Sequence, residues 1–134
     1  MKRKIPARNK SPFGWWIAVI LVRYEQQGED RSNLNRRCLA WENTIVLKAK
    51  DREEAYRKAV AQGKLHGSKG WDCIDHDTRR KGKWVFEGIA SLLPIYEELE
   101  DGAEILWNEH KVSLRKLKTW VRPKLQLETF QDSE

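Results

Sequence analysis

The sequence predicts an α+β fold: an antiparallel sheet of about five strands, one packed helix after strand two, and a C-terminal amphipathic helix. Two observations predict this class. Short apolar runs rich in β-branched and aromatic residues recur between polar or glycine-containing turns, which is typical of strands. Two other segments carry apolar residues at helical spacing. With 134 residues, 40% of them hydrophobic and seven of them Trp, the chain is long enough for one domain with a packed core.

The first two strands are predicted at residues 13–24 and 39–49. The first is a continuous apolar run, which is typical of a central strand covered on both faces. Residues 26–37 are polar, so we expect them to form an unusually long hairpin loop. Four Trp residues within strand patterns are expected in the core: Trp16, Trp41, Trp84 and Trp107.

A helix with clear end signals follows the second strand. Asp51 can cap its N-terminus while Glu54 reaches back as in a capping box, and Gly63 is predicted as the left-handed residue after its C-terminus. Ala55 and Ala59 fall on one narrow apolar face. Because these side chains are small, the helix is expected to pack closely on the sheet.

The second half of the chain predicts three more strands. Strands at 71–77 and 83–89 are joined by the basic turn at 79–82. Residues 91–99 are predicted as a short helical segment capped by Ser91, and 104–110 as the fifth strand. A final helix is indicated by Leu114, Leu117, Trp120 and Val121, which repeat at helical intervals until Pro123.

Charge divides the chain into three parts. Residues 1–12 are predicted as a basic flexible arm, 13–110 as the α+β core domain, and 111–134 as a basic amphipathic helix and tail. Five basic residues lie among the first ten, so removing them from the net charge of +6 leaves only +1 for the remainder. The arm followed by the apolar run at 13–22 imitates a signal peptide, but no small-residue cleavage site follows and the run is too short to span a bilayer. We expect a cytoplasmic protein without membrane contact.

Only two cysteines occur, Cys38 and Cys73, and they are expected to be free thiols. Asp75, His76 and Asp77 follow Cys73 closely, but alternation along a strand would divide these side chains between two faces. We therefore predict no catalytic residue, metal or cofactor, although a chemical role for Cys73 and His76 stays open. A metal-dependent hydrolase using Asp75, Asp77 or Glu109 is the enzymatic alternative.

Four sequence blocks resemble one known family. They are residues 16–21, 41–47, 54–63 and 84–89, the last containing Trp-x-Phe-x-Gly and followed by Asp-Gly-x-Glu at 101–104. In this order and spacing, the blocks resemble a bacterial family of domains of unknown function, number 4288, over residues 15–107. The resemblance implies no catalytic activity and no cofactor.

Two charged clusters are candidate binding sites. The first holds five carboxylates in eight residues: Glu97, Glu98, Glu100, Asp101 and Glu104. It suits a basic protein partner, and small size without catalytic motifs favours a protein-binding module, most concretely an immunity or antitoxin-like protein that occludes a toxin enzyme. The alternative is nucleic-acid binding through the basic arm, the turn and the C-terminal helix. Its candidate residues are Arg79, Arg80, Lys81, Arg115, Lys116 and Lys118.

Overall fold

The computed structural model describes residues 4–74 and 79–132. Four strands and one long helix form an α+β fold. The strands are β1 (Trp15–Gln26), β2 (Ala40–Lys48), β3 (Cys73–Ile74) and β4 (Lys81–Pro94). The long helix is α1 (Arg52–His66), and a short helix, α2 (Leu114–Lys118), lies near the C-terminus. Single 3-10 turns occur at Ala7–Asn9, Lys124–Gln126 and Glu128–Phe130.

The four strands form one antiparallel sheet in the order β2-β1-β4-β3. The apolar run of β1 is therefore central, as its composition predicts. Pairing between β1 and β4 shifts register twice, between Val19 and Ile20 and between Leu21 and Val22. Gly88, with φ of +155°, lies opposite this irregular stretch. Because such bulges bend a strand and increase its twist, the sheet curls.

The core lies between α1 and one face of the sheet. Its buried side chains are Trp16, Ala18, Leu47, Ala49, Ala55 and Ala59. The indole nitrogen of Trp16 donates to the Ala49 carbonyl oxygen at 3.1 Å, which satisfies the polar atom that this large side chain buries. Two alanines on α1 are fully buried, so the predicted close packing of the helix on the sheet is confirmed.

The ends of α1 correct one detail of the sequence prediction. Asp51 is the N-cap, and its carboxylate accepts from the Glu54 amide at 2.8 Å, as predicted. Glu54 reaches back to the Lys50 amide at 3.0 Å. The helix continues past Gly63 to His66, however, so the predicted stop at Gly63 is wrong. Glycine at position 63 leaves room for the Phe86 ring, because a Cβ there would collide with that ring.

The segment at 91–99 also differs from its prediction. Residues up to Pro94 continue β4, because they pair with β1 through Leu93 opposite Ile17 and Ser91 opposite Val19. The apolar spacing in this stretch suits either a helix or a strand, and pairing with the long central strand selects the strand.

The predicted fifth strand is not formed, and the predicted C-terminal amphipathic helix is reduced to α2. Residues 104–110 contain no strand, and α2 has only five residues. Every residue from 104 to 132 is exposed. Because a helix this short is marginal without packing on a neighbour, the amphipathic pattern alone does not extend it.

Trp16 is buried as predicted, whereas two other Trp residues predicted in the core are not. Trp41 is 54% exposed and Trp107 is 60% exposed. Trp41 is the second residue of the edge strand β2, and its ring contacts the half-buried ring of Trp84 at a centroid distance of 5.1 Å. Trp107 lies outside the sheet, so no second layer covers it within the described ranges.

Candidate protein-docking surface

A buried charge network fixes the polar loop after β1. Glu25 is 1% exposed and accepts two hydrogen bonds from Arg31, at 2.7 and 3.1 Å. Arg23 and Lys83 lie 3.7 and 3.9 Å from its carboxylate. Burial opposes ionisation of Glu25, but the Arg31 hydrogen bonds and the three cations outweigh it, so its pKa lies below the usual value. Lys83 and Arg31 also lie over the Trp71 ring. This carboxylate is fully engaged by cations, which is typical of a structural ion pair.

An apolar cleft of about 280 Å³ opens where β4 ends. Its walls are residues 93–97 and 104–107. The first wall is anchored to the sheet because the Ile95 amide donates to the Trp15 carbonyl at 2.9 Å, and Ile95 is 1% exposed. Leu93, Ile105 and Trp107 are 42, 47 and 60% exposed, so the cleft presents apolar surface to solvent.

The acidic turn, residues 97–104, connects the two walls of the cleft. The Glu104 amide donates to the Glu97 carboxylate at 2.6 Å, and the Ala103 amide donates to the Glu100 carbonyl at 3.0 Å. Gly102 has a φ of +86°, which glycine adopts without steric cost. These contacts close the loop, so Glu97 and Glu104 meet at the cleft.

The structure exposes all five acidic residues predicted as a partner site: Glu97, Glu98, Glu100, Asp101 and Glu104. Within the described ranges none of them forms an ion pair with a Lys or Arg side chain. The turn therefore presents uncompensated negative charge beside an apolar cleft.

The N-terminal segment borders the same region. Ser11 Oγ donates to the Ile95 carbonyl at 2.8 Å, and the Tyr96 hydroxyl donates to the Arg8 carbonyl. Arg8, Tyr96 and Trp107 border a shallow apolar hollow. The apolar surface beside the acidic turn therefore extends from the cleft towards the N-terminus.

Sequence reasoning found the charge of this site but missed its apolar walls. The sequence pattern places Leu93 in the predicted helical segment and Ile105 in the predicted fifth strand. The available signal was the position of two apolar runs, 93–96 and 105–107, on either side of the acidic run, which is typical of a surface that is apolar at its centre and charged at its rim.

The basic residues of the nucleic-acid alternative lie on two separate elements. Arg79 and Arg80 are exposed just before β4, and Lys81, the first residue of β4, is exposed as well. Arg79 has a φ of +58°. The other three, Arg115, Lys116 and Lys118, are exposed on α2. The Ser113 hydroxyl caps α2 by accepting from the Lys116 amide at 3.2 Å.

The residues considered for metal chemistry are only partly described. Cys73 is a free thiol, 3.6 Å from the Asp72 carboxylate, while Asp75, His76 and Asp77 lie outside the described residues. In residues 4–74 and 79–132, no group of three or more His, Cys, Asp or Glu side chains could hold a metal ion. No helix in those ranges is long and apolar enough to cross a membrane.

The fold and the site define a small α+β domain that carries an open apolar cleft beside an acidic turn. The chain belongs to the family described as Domain of unknown function (DUF4288), whose model matches residues 15–107. The resemblance seen in the sequence is thereby confirmed. No curated protein and no solved structure matches the chain. The matched region includes the sheet, α1, the acidic turn and both walls of the cleft, whereas α2 lies beyond it.

Proposed function

We propose that this protein is a non-enzymatic, cytoplasmic protein-binding module that docks a basic partner at the cleft and the acidic turn. The observation that carries the proposal is the juxtaposition of an exposed apolar cleft with five carboxylates that have no ion-pair partner in the described chain. Apolar surface supplies most of the affinity at protein interfaces, and a charged rim supplies steering and specificity.

The exposure of the cleft walls favours a protein side chain over a small molecule. Pockets for small ligands enclose most of the ligand. The cleft is about 280 Å³ and open to solvent, with Leu93 and Trp107 well exposed on its walls. We infer that it takes one large apolar side chain of a partner, with Lys or Arg residues of that partner beside it.

In its most concrete form, the proposal is an immunity or antitoxin-like protein that occludes a toxin enzyme. An enzyme that handles anionic substrates carries a basic active-site surface, which the acidic turn would complement. The mechanism is steric: charge steers the encounter, and an interface of roughly 1,600 Å² then blocks the partner's site.

The test uses tagged full-length protein expressed in its native host. We expect one partner to copurify at stoichiometric yield, with a basic surface at the contact. Charge reversal at Glu97→Lys and Glu100→Lys should weaken binding to that purified partner at least tenfold, because attraction becomes repulsion. The matched control reverses two exposed carboxylates elsewhere, Glu42 on β2 and Glu53 on α1, with the same change in net charge. Equal binding by both double variants would overturn the assignment of the site.

The second candidate function, nucleic-acid binding, is favoured by one observation. Six basic residues and no acid occur between 111 and 124, and all of them are exposed. Phosphate contacts release counterions, so binding should weaken steeply as salt rises, and Lys116→Glu with Lys118→Glu should reduce it further. Failure to bind single- or double-stranded nucleic acid at low salt would exclude this function.

A further inference from the structure

The C-terminal arm, residues 111–132, carries apolar side chains that the described part of the chain leaves partly or largely exposed. Eight large ones are at least 38% exposed: Val112, Leu114, Leu117, Trp120, Val121, Leu125, Leu127 and Phe130. The whole chain exposes 11436 Å². A compact monomer of 15.8 kDa exposes about 7,300 Å², so this chain presents roughly 4,000 Å² more. This excess counts polar and apolar surface of the whole chain. Part of it comes from the exposed apolar side chains that the arm carries close together in the sequence, and such clustering is typical of a binding surface.

Local contacts hold the arm in shape without covering it. The rings of His110 and Trp120 lie 5.0 Å apart, and the Lys124 ammonium lies 5.3 Å from the centre of the Phe130 ring. Arg122 pairs with Glu128. These contacts join neighbouring parts of the same segment, so the arm is organised locally and its apolar side chains stay exposed.

Charge indicates what the arm binds. Apart from Arg122, its basic side chains form no ion pair in the described chain: Lys111, Arg115, Lys116, Lys118 and Lys124. The five carboxylates of the acidic turn are equally unpaired. A basic apolar segment and an acidic apolar cleft thus occur in one chain. Their charges are opposite, and both expose apolar side chains.

The cleft of the same molecule is a poor acceptor for this arm. Residues 104–107 form one wall of the cleft, and the chain continues directly from that wall into the arm. In the described structure, no residue of the arm lines this cleft. The arm can instead dock in the cleft of a second copy. When each copy docks its arm in the cleft of the other, the two copies form a dimer with two-fold symmetry.

We propose that the C-terminal arm of one copy docks in the apolar cleft of a second copy, with its basic side chains against the acidic turn, to form an arm-exchanged homodimer. This inference rests on the proposed function, because it identifies an occupant of that same docking site. A stable interface needs about 1,200–2,000 Å² of buried surface. In the proposed dimer, two arms and two clefts contribute to this surface. A basic partner protein would then compete with the arm for the cleft.

The test measures the mass of the full-length protein in solution by light scattering and sedimentation equilibrium. We expect twice 15.8 kDa for the wild type. The turn variant (Glu97→Lys with Glu100→Lys) and the arm variant (Lys116→Glu with Lys118→Glu) should each dissociate at least tenfold more readily. The control variant (Glu42→Lys with Glu53→Lys) should stay dimeric, and circular dichroism verifies that every variant is folded.

Mixing the two reversed variants gives the sharpest result. In the mixture, the native turn of one chain meets the native arm of the other, and the reversed turn meets the reversed arm. Both contacts are complementary, so we expect a mixed dimer at concentrations where each variant alone is monomeric. A wild type that is monomeric at all concentrations, or a dimer insensitive to both reversals, would overturn the exchange.

A peptide with the sequence of residues 111–130 separates this inference from the proposed function. If the wild type is monomeric but the peptide binds it, and the turn variant loses that binding, the docking site stands and the homodimer is wrong. If the protein is monomeric and the peptide does not bind, the homodimer is wrong. That result would also contradict the proposal that the cleft and the acidic turn bind basic apolar ligands.

Discussion

Replacing Gly63 by Ala should destabilise the protein, although the same change in an exposed helix usually stabilises it. Gly63 lies inside α1 and is buried. A methyl group there would lie 2.6 Å from two ring carbons of Phe86 and closer to a third. Carbon atoms pack best at about 3.5–4.0 Å, so the ring must move by more than 1 Å. The helix gains about 1 kcal/mol from Ala, while overpacking costs about 1–3 kcal/mol. We expect a net loss of about 1 kcal/mol.

Urea denaturation followed by Trp fluorescence measures this change. Gln62→Ala, one residue earlier and exposed on the same helix, is the matched control and should change stability by less than 0.5 kcal/mol or so. Adding Phe86→Leu to Gly63→Ala removes part of the ring, so the double variant should show a favourable coupling of about 1 kcal/mol. A Gly63→Ala protein that is about 1 kcal/mol more stable than wild type would refute the packing argument.

Two other variants test the local structure. Glu25→Gln should cost about 1–3 kcal/mol at neutral pH, because the Arg31 guanidinium keeps its position and loses a carboxylate partner. The pKa of Glu25 is lower in the folded than in the unfolded chain, so its contribution to stability is present above the usual value of 4.5 and is lost as pH falls through the folded pKa. Denaturation curves at several acidic pH values should therefore show a shallower pH dependence in Glu25→Gln; an unchanged slope would contradict this role. Asp51→Ala should cost about 1 kcal/mol by removing the cap on the Glu54 amide, and an unchanged urea midpoint would show that the cap is dispensable.

The sequence predicted the elements whose signals are local. The continuous apolar run of β1 indicated a central strand, and β1 lies between β2 and β4. Asp51 indicated the start of α1, and Ala55 and Ala59 indicated its buried face. Each of these predictions depends on residues within one turn or one strand, where side-chain chemistry acts without help from the rest of the fold.

The errors concern features that distant residues decide. Gly63 has the residue type of a helix end, but its position is set by Phe86, 23 residues away in the sequence. Leu93 fits a helical pattern and is held in β4 by pairing with Ile17, much further away. In both cases the local pattern allowed two structures, and a tertiary contact chose between them.

The C-terminal helix is shorter than predicted for a different reason, and this reason bears on function. The spacing of Leu114, Leu117 and Val121 specifies an apolar face but not the surface that covers it. In the isolated chain that face stays exposed, and the helix is only five residues long. An amphipathic segment of this kind gains helical structure mainly when its apolar face packs against a partner. If the arm docks on an acidic apolar cleft, α2 should therefore lengthen on binding.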